Sequence, residues 1–166
     1  MDLKLEAIII PVSDVDRAKK FYEEALGFRV DLDQSAAVYE EALGPRYCDA
    51  ESYRFVQLTP PGSECSIQIG QGLTRATPGS YQGMYLITSD IEATRAELVK
   101  RGVQVSEPFH FGPQGQTPGL DPERANYKSF VSLSDPDGNG WLIQEINRIS
   151  LVSSQRNHVA KLHHPA

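Results

Sequence analysis

Residues 10–22 read Ile10-Pro11-Val12-Ser13-Asp14-Val15-Asp16-Arg17-Ala18-Lys19-Lys20-Phe21-Tyr22. An apolar extended run, residues 7–12, ends here and a helix opens. Ser13 or Asp14 can cap the free amides of its first turn. Ala18, Phe21, Tyr22 and Ala25 recur at helical spacing and predict a buried stripe. Gly27 is the expected stop, since glycine just past a helix end takes the left-handed cap conformation. Residues 28–32 then read as a short strand.

The same word returns further along. Ser13-Asp14-Val15 recurs as Ser89-Asp90-Ile91, 76 residues later and again after an apolar run, residues 85–88. The second helix carries Ile91, Leu98 and Val99 and should stop at Gly102, with a short strand at 103–105. Residues 55–62 resemble residues 130–138, and each reads as a strand running into a Pro/Gly turn. The second turn reads as one residue longer than the first. The closing strands, 65–69 and 141–146, bring Gln68 and Gln144 to equivalent positions. Each half therefore reads strand, helix, strand, strand, strand, an α+β class. Neither half alone covers its sheet, so the halves must pair, within the chain or across a dimer.

These units give a single domain over residues 1–147: a first module at 4–70, a Gly/Thr/Ser/Pro-rich linker at 70–83 and a second module at 83–147. Two insertions break the symmetry. Residues 34–52 suggest a short helix plus loop, and residues 109–125 a long loop of the kind that serves as a lid. Residues 148–166 form a polar tail with His158, His163 and His164, expected to pack loosely or on a partner subunit.

The net charge is -6 and no basic run occurs, which argues against nucleic acid or an anionic membrane as partner. No apolar stretch approaches the roughly 18 residues of a transmembrane helix. The start lacks a signal-peptide pattern, and Cys48 and Cys65 are too few and too separate for a disulfide scaffold. The expected location is the cytoplasm.

Together, residues 10–22, the following Leu26-Gly27-Phe28 and the late Ser134-Asp135-Pro136-Asp137-Gly138-Asn139-Gly140-Trp141 resemble the vicinal oxygen chelate superfamily, the glyoxalase, bleomycin-resistance and dioxygenase-like proteins. The resemblance covers residues 4–147. It implies two βαβββ modules forming an eight-stranded, cup-shaped mixed sheet whose concave face binds a small molecule. It also implies a homodimer. Members range from lyases, isomerases and dioxygenases to antibiotic-sequestering proteins, so the fold alone does not fix the function.

In the metal-using members each module gives one ligand from its first strand and one from its last. Counting back from Asp14 and Asp90, the resemblance puts the first-strand ligands at Ala7 and Gly83, which cannot bind metal. The last-strand positions fall at Gln68 and Gln144, or at Leu142 if the hairpins are aligned on their turns. Two neutral amides make a poor site for a divalent transition metal. The expectation is no cofactor. The alternative is a divalent metal held atypically by Gln68, Gln144 and Glu6 or Glu145.

Gln68, Gln144, Tyr85, Trp141 and Leu142 are the candidate ligand-binding residues, the glutamines as hydrogen-bond partners of a polar ligand. For Tyr85, Trp141, Phe55 and Phe130, plain core is the competing reading. His110 is the candidate general base or proton shuttle; a structurally bonded histidine is the plainer one. No nucleophile elbow or phosphate loop is present. The run 135–139 lacks the distal Glu of a calcium loop and reads as a turn.

Three functions remain open. One is a metal-independent protein that sequesters a small organic molecule or converts it by proton transfer. The second is a metal-dependent glyoxalase-type lyase, isomerase or dioxygenase. The third is a module that mainly supports assembly, marked by a cup filled with its own side chains.

Overall fold

Both helices form where their caps place them. In the computed structural model, which describes residues 2–35 and 54–147, the Asp14 side chain accepts from the Arg17 amide at 3.0 Å and opens α1, Val15–Lys20. One π-helical turn, Phe21–Ala25, extends it, and Gly27 ends it at φ 74°. Ala18 and Tyr22 are fully buried. Asp90 caps α2, Ile91–Lys100, in the same way, accepting from Ala93 at 2.9 Å, and Gly102 follows at φ 83°. Ile91 and Leu98 enter the core, but Val99 stays 47% exposed.

The strands form two mixed sheets rather than one eight-stranded sheet. The first is ordered β1-β4-β3-β2, with β1 Ala7–Ile9, β2 Arg29–Ser35, β3 Arg54–Thr59 and β4 Ser66–Gly70. The second is ordered β5-β9-β8-β6-β7, with β5 Met84–Thr88, β6 Phe109–Gly112, β7 Gly115–Pro118, β8 Ser129–Ser134 and β9 Gly140–Glu145. The repeat holds at the level of pairing. β1 runs parallel to β4 as β5 does to β9, and the hairpins β3–β4 and β8–β9 correspond.

Two expectations change in the second module. Residues 103–105 make only a bridge, Val105 to Leu133. The strand opposite β8 comes from the insertion instead. Its Gly/Pro-rich stretch is the tight turn of the β6–β7 hairpin, with Gly112 opposite Gly115. The expected helix in residues 34–52, Cys48 and the histidine tail lie outside the described residues, apart from Gln34 and Ser35 in β2.

Side chains alternate between the sheet faces. Val56, Leu58, Ile67 and Ile69 of the first sheet, and Val131, Leu133, Trp141 and Ile143 of the second, join Tyr22, Phe28, Ile91 and Leu98 in one helix-side core. The modules are fastened by the turn after β8. Asp135 is buried, and its carboxylate accepts from the Tyr22 hydroxyl at 2.8 Å and from Asn139 Nδ2 at 2.7 Å. Asn139 Nδ2 also donates to Pro11 O at 2.9 Å. Asp137 accepts from the Ser13 amide at 3.2 Å and from Arg17 at 2.8 Å. The run read as a turn thus clamps the strand-to-helix corner of the other module.

The hairpin registers overturn one detail. Eight residues separate Leu58 from its partner Ile67, but only seven separate Leu133 from Trp141. The second turn is therefore the shorter one, closed by Asp135 N to Asn139 O at 3.0 Å. Consequently Leu142, not Gln144, takes the place of Gln68. Ser132 faces Leu142 as Gln57 faces Gln68, and Gln144 lies opposite Phe130 as Gly70 lies opposite Phe55.

Candidate functional site

The sheet faces turned away from the helices differ in chemistry. The first carries a connected line of polar groups. Gln68 Nε2 donates to Gln57 Oε1 at 3.0 Å, Gln57 Nε2 to Ser66 Oγ at 3.4 Å, and Ser66 Oγ lies 2.6 Å from Thr59 Oγ1. Thr59 in turn donates to Asp31. A register shift between Val30 and Leu32 leaves Asp31 as the extra residue of a bulge, a device that re-aims a side chain. The Thr59 hydroxyl, and after it Arg29, hold the Asp31 carboxyl below the usual carboxylate range.

The second open face is aromatic and aliphatic. Phe109 stacks on Phe130 at 5.7 Å, and Phe111 meets Phe130 edge-on at 5.4 Å. Tyr85 and Ile87 of β5 stand beside Leu142 and Gln144 of β9. Tyr85, Ile87 and Phe111 are each about half exposed and leave an apolar surface uncovered by the described residues. Gln144 Nε2 donates to Tyr127 O at 3.1 Å. The loop carrying Tyr127 is held by Arg124, which reaches Glu145 at 2.7 Å and Glu92 at 2.9 Å.

The candidate residues therefore divide. Gln68 lies on the polar face, and Tyr85, Leu142 and Gln144 on the aromatic face. Trp141 turns to the core, 3% exposed, and its Nε1 donates to Tyr22 OH at 3.2 Å. Trp141 and Leu142 also line an open groove of about 1100 Å³ beside Phe21 and Val99. His110 lies opposite Ser129, on the side away from Phe109 and Phe130, with Nδ1 2.9 Å from Gly119 O. Sequence reading does not single out Asp31, Gln57, Thr59 or Ser66. The alternation Gln57, Thr59 and Ser66, Gln68 is the signal that could have found all but Asp31.

A family model, the Glyoxalase/Bleomycin resistance protein/Dioxygenase superfamily, matches residues 4–143. The chain belongs to this superfamily. Among solved structures it is similar to TnmS3, an antibiotic binding protein from Streptomyces sp. CB03234, at 30% identity and TM-score 0.61, covering 87% of this chain and 97% of that one. A glyoxalase/bleomycin resistance protein from the same strain is 29% identical, with TM-score 0.60 over 86% and 100% of the chains. A superfamily member from Sphaerobacter thermophilus DSM 20745 is 30% identical, with TM-score 0.61 over 87% and 98%. No curated protein sequence matches at a significant level.

The superfamily's metal positions can now be tested by their donors. Ala7 sits on the open face opposite Ser66, and Gly83 precedes β5; neither offers a ligand atom. The register puts Leu142 where the second last-strand ligand would stand. Gln68 and Gln144 each spend an amide hydrogen within their own module. Glu145 turns to the helix side, accepting from the Ile91 amide and Arg124. Glu6 has the strand parity of Ile8, which packs against the core. Among the described residues no three His, Cys, Asp or Glu side chains converge on one point. This donor set does not fit a divalent transition metal. Burial, then Glu6, pushes the Cys65 thiol up, away from the thiolate form.

Proposed function

We propose that the chain binds a small, partly aromatic organic molecule on the open faces of its sheets, without a transition-metal centre, in a sequestration role. The carrying observation is that Gln68 and Leu142 stand where the superfamily's last-strand metal donors would, the first on an amide and hydroxyl face and the second on a half-exposed aromatic face. Flat aromatic rings offer a ligand large contact area with well-defined geometry. The similarity to an antibiotic binding protein supports the same reading. So do the neighbours of Gln68 among the described residues, which are amides and hydroxyls rather than an activated nucleophile.

The two faces belong to different sheets, and a ligand touching both needs them to confront each other. A second copy of the chain, its polar face against the first copy's aromatic face, completes the cup. No helix among the described residues is long and apolar enough to cross a membrane, and we place the protein in the cytoplasm, consistent with its isolated cysteines.

The test is a calorimetric titration of planar aromatic antibiotics into the chain, with sedimentation giving the oligomeric state. Binding at micromolar Kd, one ligand per cup and a dimer, is expected. A monomer that binds none of them below about 1 mM contradicts the reading.

A further inference from the structure

The polar line on the first sheet has a direction, and chemistry sets it. An ionised carboxylate only accepts hydrogen bonds, so Thr59 Oγ1 must donate to Asp31. The hydroxyl has one hydrogen, so the contact between Ser66 Oγ and Thr59 Oγ1 is donated by Ser66. Ser66 Oγ then accepts from Gln57 Nε2, and Gln57 Oε1 accepts from Gln68 Nε2. Every amide orientation follows from the Asp31 end. The line ends at Gln68 with one amide hydrogen spent and one left, and among the described residues no donor reaches its Oε1, so a ligand hydroxyl or N–H can donate there. Gln144 reaches the same state independently. A backbone carbonyl cannot donate, so Tyr127 O takes an Nε2 hydrogen, and among the described residues no donor reaches the Gln144 oxygen.

We propose that the Asp31–Thr59–Ser66–Gln57 line fixes the Gln68 amide with its Oε1 open as an acceptor, so that the site selects aromatic ligands carrying a hydroxyl or N–H donor, such as phenols. This rests on the binding reading above and adds the polarity of the ligand. Asp31 acts through Gln68 as a positioning residue. In an Asp31→Asn variant the new side-chain amide can donate to Thr59, the line can reverse, and Gln68 can present its NH2 group instead.

The probes are 2-naphthol and 2-methoxynaphthalene, which share a ring system and differ in one hydroxyl hydrogen. Fluorescence titration of the full chain should show naphthol binding about tenfold tighter, the size of one neutral hydrogen bond. The ratio should fall to about twofold or less in Asp31→Asn, Thr59→Val and Gln68→Leu, and be restored in Thr59→Ser, which keeps the hydroxyl. Circular dichroism confirms that each variant is folded. If wild type binds both probes equally, or the preference survives Thr59→Val and Gln68→Leu, the proposal is overturned. If neither probe binds, the aromatic-ligand reading itself fails, a separate outcome.

Discussion

Gln57 and Gln68 face each other across β3 and β4, joined amide to amide at 3.0 Å, while the matching pair in the second sheet is Ser132 and Leu142. The repeat thus preserves the backbone and discards the chemistry. One open face keeps a hydrogen-bonded polar line; the other turns aromatic. A site made from both is suited to a molecule with a flat apolar body and polar substituents.

Aromatic contact should be separable from stability. Tyr85 and Phe111 are half exposed and outside the main core cluster. Tyr85→Ala and Phe111→Ala should each weaken naphthol binding about threefold to tenfold, the range of an aromatic contact. The thermal midpoint should move by no more than about 2 °C, as for a surface substitution. Unchanged affinity in both variants places the ligand elsewhere, for instance in the groove beside Phe21.

The clamp between modules has an alkaline signature. Burial first, and the Asp135 charge next, push the Tyr22 phenol far above its ordinary value. The folded state keeps the proton that the unfolded state loses near pH 10, so this stabilisation is present below about pH 10 and declines as pH rises beyond it, by about 1.4 kcal/mol per unit. Tyr22→Phe removes a donor to a buried carboxylate and should cost about 1–3 kcal/mol at pH 8. Urea unfolding of both proteins from pH 8 to 11 checks this. Wild type should lose stability faster above pH 10, so the gap narrows; a constant gap contradicts the assignment.

At Gly79 the linker passes close to the clamping turn. A Cβ on Gly79 would lie 2.1 Å from Asp137 O, and its φ is 77°. Gly79→Ala should therefore destabilise the fold by about 1–3 kcal/mol, backbone strain added to a clash that only backbone movement relieves. Denaturant unfolding measures it. A neutral result means that the turn clamping the modules is more pliable than its hydrogen bonds indicate.

What is legible in the sequence is local. Asp14, Asp90, Gly27 and Gly102 set the helices through neighbours within a turn, and the Pro/Gly runs set the hairpins. The register of β8–β9 is not legible, because Asp135 decides it by folding its own carboxylate back onto Asp137 and Asn139 amides at 3.0 and 2.9 Å. The repeat offset therefore pairs Gln68 with Gln144 and alignment on the turns pairs it with Leu142, and only the pairing geometry decides, for Leu142. Gly112-Pro113-Gln114-Gly115 reads as part of a lid, since a tight hairpin turn and a loop share one composition. Asp31 is hidden for a related reason. A bulge suspends the alternation that assigns side chains to faces, and only the register of β2 reveals it.

Ligand binding on these faces without a transition metal can be measured outright. Protein from cells supplied with zinc, nickel, manganese and iron is analysed for metal and titrated with 2-naphthol, before and after treatment with a strong chelator. Substoichiometric metal and the same Kd in both titrations are expected. Stoichiometric metal, with binding lost on chelation and restored by adding one of these ions back, would contradict it.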